Sequence, residues 1–186
     1  MANDLKISVI IPVRDHTDFL KKLLDSIRQN APEEIGYEIV VVDDGSREDI
    51  APLAAEYDVH YHREAESKGP AHARNIGAGM ASAPLLFFLD ADLEYPPGLM
   101  ERALNLLERE PELAAISFID QPFCKTDGII KNYGSLIEYH FYKILVDHKP
   151  VARIFAFTTR NGIVRANAFR EIGGFDEKYT TNAMED

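Results

Sequence analysis

Two acids follow directly on five large apolar residues: Leu85-Leu86-Phe87-Phe88-Leu89 runs into Asp90-Ala91-Asp92. On extended backbone alternate side chains point to one side, so both carboxylates face the same way. Carboxylates are hard oxygen ligands. Mg2+ or Mn2+ takes one or two of them and completes its octahedron with water and phosphate oxygens. The spacing therefore points to a metal-assisted site for a phosphorylated substrate, with a solvated acidic turn as the plainer alternative. Two other apolar runs end in the same style. Val9-Ile10-Ile11 passes into Pro12-Val13-Arg14-Asp15, and Ile39-Val40-Val41-Val42 passes into Asp43-Asp44-Gly45-Ser46. Several polar ends on neighbouring strands suggest a pocket, although Asp43-Asp44 could equally form an Asx turn.

The elements that must hold these residues alternate. Leu85 to Leu89 reads as a strand buried on both faces, and the carboxyl edge of such strands is where open α/β sheets bind ligands. Ile7 to Ile11 is a strand closed by Pro12, which lacks a donor. Thr17-Asp18 starts a helix through Leu20, Leu23, Leu24 and Ile27. Tyr37 to Val42 is a strand. Ser46 and Asp49 resemble a capping box opening a helix with Ile50, Leu53, Ala54 and Tyr57. A short strand, Val59 to His62, precedes an Ala- and Gly-rich helix, Ala71 to Ala81, with Pro70 at its start. Pro96-Pro97 leads into a helix through Leu99, Ala103, Leu104, Leu106 and Leu107, and Ala114 to Phe118 is another strand. This order implies a mainly parallel sheet with helices on both faces.

Past residue 120 the alternation fades. Ile129 to Val146 reads as a helix whose aromatic face, with His140 on it, is core. Phe155 to Thr159 reads as a strand, Ala166 to Glu171 as a short helix, and Gly173-Gly174-Phe175-Asp176 as a tight turn. The expected division is an α/β half, 1–120, and a less regular, incomplete region, 121–186, together one domain.

Composition narrows the class. The 186 residues are 46% hydrophobic and 27% charged, as in globular domains. With 31 acidic and 20 basic residues the net charge is −11, which argues against nucleic acid as partner. One cysteine, Cys124, cannot form an internal disulfide, and the histidines lack ligand spacing. Neither a signal-peptide plan nor an apolar run of the ~20 residues a membrane span needs is present. A cytoplasmic protein is expected, and the chain stops at Met184-Glu185-Asp186 as if cut from something longer.

The strings Val9-Ile10-Ile11-Pro12, Val41-Val42-Asp43-Asp44-Gly45-Ser46, Lys68-Gly69-Pro70-Ala71 with Ala73-Arg74-Asn75, Phe88-Leu89-Asp90-Ala91-Asp92, Ile172-Gly173-Gly174-Phe175-Asp176-Glu177 and the terminal Glu185-Asp186 resemble family 2 glycosyltransferases, in that family's order and over nearly the whole chain. The resemblance implies an α/β GT-A fold, Rossmann-like, with a smaller acceptor-side region. It implies inverting transfer of a sugar from a nucleoside diphosphate, usually UDP-linked, to a hydroxyl of a saccharide or lipid-linked acceptor, as in polysaccharide and cell-envelope synthesis. By position, Pro12 and Arg14 line the nucleotide pocket and Asp44 accepts from the base, while Asp43 serves the turn. Gly69 lets backbone approach the nucleotide. Arg74 and Asn75 sit near ribose and diphosphate, with an ion-pair strut as the alternative for Arg74. Asp90 meets the ribose, and Asp92 holds the Mg2+ or Mn2+ that bridges the phosphates. Asp186 is the general base, Glu185 supports the acceptor, and Gly174 and Asp176 shape the acceptor side.

Leu93-Glu94 follows the acidic pair where many relatives carry further acids, and the Gln-x-x-Arg-Trp motif of polymerising members is missing, since the chain has no tryptophan. No residue follows Asp186 to hold it, so the fragment is expected to bind nucleotide and metal but to transfer poorly. Any membrane contact, at the inner face, would come through downstream sequence. A sugar-nucleotide nucleotidyltransferase competes, but Pro12-Val13-Arg14-Asp15-His16 offers no glycine for its phosphate loop. A nucleotide-binding module without turnover also competes.

Overall fold

The computed structural model describes residues 4–118 and 157–178. In chain order the elements are β1 (Leu5–Val13), α1 (Thr17–Asn30), β2 (Gly36–Asp43), α2 (Ala51–Ala54), β3 (His60–Arg63), α3 (Pro70–Met80), β4 (Leu85–Leu89), α4 (Leu99–Arg109), β5 (Ala115–Ser117), β6 (Asn161–Arg165) and α5 (Ala166–Glu171). They form one six-stranded sheet in the order β3-β2-β1-β4-β6-β5. The four strands from β3 to β4 run parallel, and β6 lies antiparallel to both β4 and β5.

Alternation along β1 decides the two layers. Ile7, Val9, Ile11 and Val13 point into a cluster with Leu20, Leu23, Leu24 and Ile27 of α1 and Leu99, Met100, Ala103 and Leu107 of α4. Ile10 points the other way, with Val40, Val42, Leu86 and Phe88, onto the small residues of α3 and onto Phe169 of α5. Each large side chain so buried contributes about 1.5–3 kcal/mol over an exposed one. Helices on both faces of a mainly parallel sheet are what the sequence predicts.

Four details differ from expectation. Pro12 does not close β1, because pairing with β2 runs on to Val13↔Asp43 whereas pairing with β4 ends at Ile10↔Phe88. Val13 directs its carbonyl to Asp44 on the β2 side, so the alternate position, Pro12, directs its missing donor to the side where the ladder has already ended. Ser46 and Asp49 form no capping box. Ser46 Oγ instead accepts from the Asp15 N–H at 2.9 Å, Asp49 accepts from Ala51, and α2 is a single turn. Of the strand expected at Phe155 to Thr159, the described residues 157–159 are not strand, and the strand here is Asn161–Arg165. A Cβ on Gly162 would come within 2.6 Å of both the Phe157 ring and the Thr158 carbonyl, so the chain folds back over Gly162 before β6 starts. Finally, β6 inserts between β4 and β5, so residues on both sides of position 120 build one sheet.

The helix expected at Ile129 to Val146, with His140, and also Cys124, lie outside the described residues. Among the described residues no helix is long and apolar enough to cross a membrane.

Candidate active site

Because β2, β1 and β4 are parallel neighbours, their carboxyl ends share one edge. Two strand spacings put the ends of β2 and β4 about 10 Å apart. Onto that edge open Asp43-Asp44, Pro12 to Asp15, and Asp90 to Asp92.

Asp43 and Asp44 divide their work. Asp43, fully buried, accepts from the Ser46 N–H at 2.8 Å and from the Tyr61 hydroxyl at 3.0 Å, with the Arg63 guanidinium 3.5 Å away. Burial and that hydrogen bond push Tyr61 up to about 12. Asp44 accepts three hydrogen bonds from the next loop: the Ser67 hydroxyl at 2.6 Å, the Lys68 N–H at 2.8 Å and the Gly69 N–H at 3.0 Å. Gly45 makes the close approach possible. Its φ is +68°, and a Cβ there would stand 2.5 Å from the Ser67 nitrogen. Asp15, at φ 56°, ties the loops after β1 and β2 together by donating to Ser46 and accepting from Arg47. Pro12 is half-buried and Arg14 exposed at the end of β1.

At the end of β4 each acid faces an arginine. Arg74, buried in α3, donates to Asp90 at 2.9 Å. Burial raises the proton affinity of Asp90 above the ordinary carboxylate value, against the opposing pull of Arg74. Asp92 is exposed, with Arg160 Nη2 3.7 Å from its Oδ2. The backbone of Arg160 is held alongside, since its carbonyl accepts from the Asp90 N–H at 3.0 Å. Arg160 carries no motif, and only the antiparallel register of β6 brings it to the acids.

A second group gathers on the far side of α3. Asn75 donates to the Phe175 carbonyl at 3.0 Å and accepts from the Phe175 N–H at 2.9 Å, and it also donates to Glu177. It clamps the turn in which Gly173 and Gly174 take φ +83° and +81°. Phe175 packs edge-to-face against Phe88 and Phe169. His72 faces Glu177 at 2.9 Å and Glu64 at 3.4 Å. Asp176 is exposed and accepts from the Lys178 N–H. Of the predicted site residues, Asp44 with Gly69 and Arg74 with Asp90 and Asp92 lie along the same sheet edge, Pro12 and Arg14 at the end of the strand between them, while Asn75, Gly174 and Asp176 belong to the turn. Glu185 and Asp186 lie outside the described residues.

Among the described residues no group of three or more His, Cys, Asp or Glu side chains forms a metal cluster. Mg2+ can be held by one or two carboxylates, with water and phosphate oxygens completing its shell. Asp92, an exposed hard-oxygen donor beside Asp90, suits Mg2+ or Mn2+ on those terms.

Solved structures share this architecture. A mannosyltransferase from Pyrobaculum calidifontis, in complex with GDP-Man and Mn2+, superposes with a TM-score of 0.68 at 22% identity, over 92% of this chain and 48% of that one. S. aureus TarS 1–349 in complex with UDP gives 0.71 at 18%, over 97% and 52%. The fold is therefore GT-A. Among curated proteins, the pre-mycofactocin glycosyltransferase of Mycobacterium tuberculosis is 27% identical over 92% of this chain and 36% of its own length. The dolichol-phosphate mannosyltransferase of Pyrococcus furiosus is 33% identical over 59% and 32%. The chain thus spans about a third of the length of these curated relatives. The family model described as Glycosyl transferase family 2 matches residues 8–173, from within β1 to the turn after α5 and so across every element that builds this edge, and the chain belongs to that family.

Proposed function

We propose that the chain is the donor-binding part of an inverting glycosyltransferase that takes a sugar from a nucleoside diphosphate, UDP-linked in the first instance, to an acceptor hydroxyl. The observation that carries this reading is the meeting of Asp44, Asp90 and Asp92 on one edge, from β2 and β4 with β1 between them. An ionised carboxylate offers about four lone-pair sites. Loop donors take three at Asp44, which leaves one for the imide N–H of a uracil or guanine base. Gly69, held by Asp44, brings backbone against the nucleotide, with Pro12 and Arg14 on its other side. Arg74 fixes Asp90 toward the ribose. Asp92 would hold Mg2+ or Mn2+, which when bound would offset negative charge on the departing diphosphate. Asp186 takes the proton of the attacking hydroxyl, with Glu185 beside it at the acceptor. In this reading Asn75 acts indirectly by holding the turn that carries Gly174 and Asp176 on the acceptor side. The chain works in the cytoplasm, at the inner membrane face where further sequence anchors it.

A thermal-shift screen of UDP-, GDP- and dTDP-sugars with and without Mn2+ or Mg2+ tests this. A ligand that binds only the native state raises Tm. One nucleotide class should do so in a metal-dependent way, and Asp92→Asn should lose the metal dependence. Released nucleoside diphosphate then measures turnover. No shift with any nucleotide sugar would overturn the reading.

A further inference from the structure

The two arginines at the end of β4 hold their acids on different terms. Arg74 is buried, with its side chain 4% exposed, and sits 2.9 Å from Asp90. Arg160 and Asp92 are 50% and 54% exposed, and their charged atoms are 3.7 Å apart. The first pair is a fixed part of the fold. The second is an open surface pair of the kind worth little in water, and an incoming ion can replace it. The backbone of Arg160 is held by the Asp90 N–H and by the neighbouring Leu89↔Asn161 pair, so its side chain stays within reach of the acids when the pair opens.

We propose that Arg160 exchanges one partner for another: it pairs with Asp92 until a divalent cation arrives, then turns that contact to the diphosphate that the cation brings. This rests on the transferase reading above. With Asp92 alone, the guanidinium competes with the cation for one carboxylate. Once cation and diphosphate are both present, the phosphate oxygens supply new anionic acceptors, and the planar fork of arginine suits them better than an ammonium does. One side chain then weakens binding of the bare metal and strengthens binding of metal with nucleotide. A residue that merely braced β6 would do neither.

The test uses the 186-residue chain, Arg160→Gln and Arg160→Lys. Mn2+ binding without nucleotide is read from the free-ion electron paramagnetic resonance signal. Binding of UDP, GDP and dTDP at saturating Mn2+ is read by calorimetry. Arg160→Gln should bind Mn2+ alone roughly two- to fivefold more tightly, the scale of an exposed ion pair. It should bind the preferred nucleoside diphosphate about tenfold more weakly, the scale of a charge-assisted hydrogen bond. Arg160→Lys keeps the charge and should fall between the two on both measurements, and its Tm should match wild type. If Arg160→Gln matches wild type on both, or weakens both together, the handover is wrong and the transferase reading stands. If wild type binds none of UDP, GDP and dTDP with Mn2+, both fall.

Discussion

Adjacent acids can hold different posts because successive residues at a strand end point to opposite sides. Asp43 is the last residue of β2 and turns inward to Tyr61 and Ser46, whereas Asp44 reaches across to the loop at Ser67 to Gly69. Asp44 therefore carries two loads, loop anchoring and the proposed base contact, and substitution separates them. Asp44→Asn swaps one acceptor oxygen for an amide that can only donate, so at least one loop donor loses its partner. Leaving a buried donor unpaired costs about 1–3 kcal/mol. Urea denaturation should show that loss for Asp44→Asn, and about 1 kcal/mol for Ser67→Ala, which removes a single bond. Unchanged stability in Asp44→Asn would mean that the loop tether contributes nothing and that only ligand explains the acid. The division between Asp43 and Asp44 is partly legible in the sequence, since an Asx turn after a buried strand is a local matter. Arg160 is not, because its place depends on which strand β6 pairs with.

The helix that backs the edge shows the same dependence on partners. α3 packs on the sheet through small residues, and its two later glycines sit in opposite surroundings. A Cβ on Gly77 would lie 2.4 Å from Ile10 Cγ2 and 3.3 Å from Val42 Cγ2, both on the buried face of the sheet. A Cβ on exposed Gly79 would meet nothing within 4 Å. Gly77→Ala should therefore cost about 1–3 kcal/mol by overpacking. Gly79→Ala should gain about 0.5–1 kcal/mol, since alanine is the better helix residue. Chemical denaturation of the two variants should move in opposite directions, and a gain at Gly77 would mean that α3 rides higher on β1 than described. Buried strands such as β4, and helices with a strong apolar stripe such as α1 and α4, are readable from the chain because their own side chains define them. The expected strand at Phe155 to Thr159 failed for the opposite reason. Its phenylalanines and threonines suit a strand locally, but the ladder sites offered by β4 and β5 are taken by Asn161–Arg165. The helix after β2 shrank to one turn once Ser46 was committed to Asp15.

Across the molecule, one carboxylate joins segments that the sheet alone leaves apart. Glu64, just past β3, faces Lys68 Nζ at 2.8 Å, His62 Nε2 at 3.1 Å and His72 Nε2 at 3.4 Å. His72 in turn reaches Glu177 beyond α5. The chain before α3, α3 itself and the turn after α5 are thereby linked through polar side-chain contacts. Lys68 first, then His62, hold the Glu64 carboxyl at about 2 against an ordinary 4.5, and burial opposes them only in part. A carboxyl depressed on folding contributes stability above its unfolded value, and that contribution goes as pH falls through the folded one. The window is therefore about pH 4.5 down to about 2. Glu64→Gln removes the titrating group and keeps the shape. Melting curves of wild type and variant should differ most above pH 4.5, with wild type the more stable, and converge as pH approaches 2. The other carboxylates titrate in both proteins and cancel in the difference. A gap that stays constant to pH 2 would mean that Glu64 stabilises by packing alone, and no gap at any pH would mean that the link across the turn is idle.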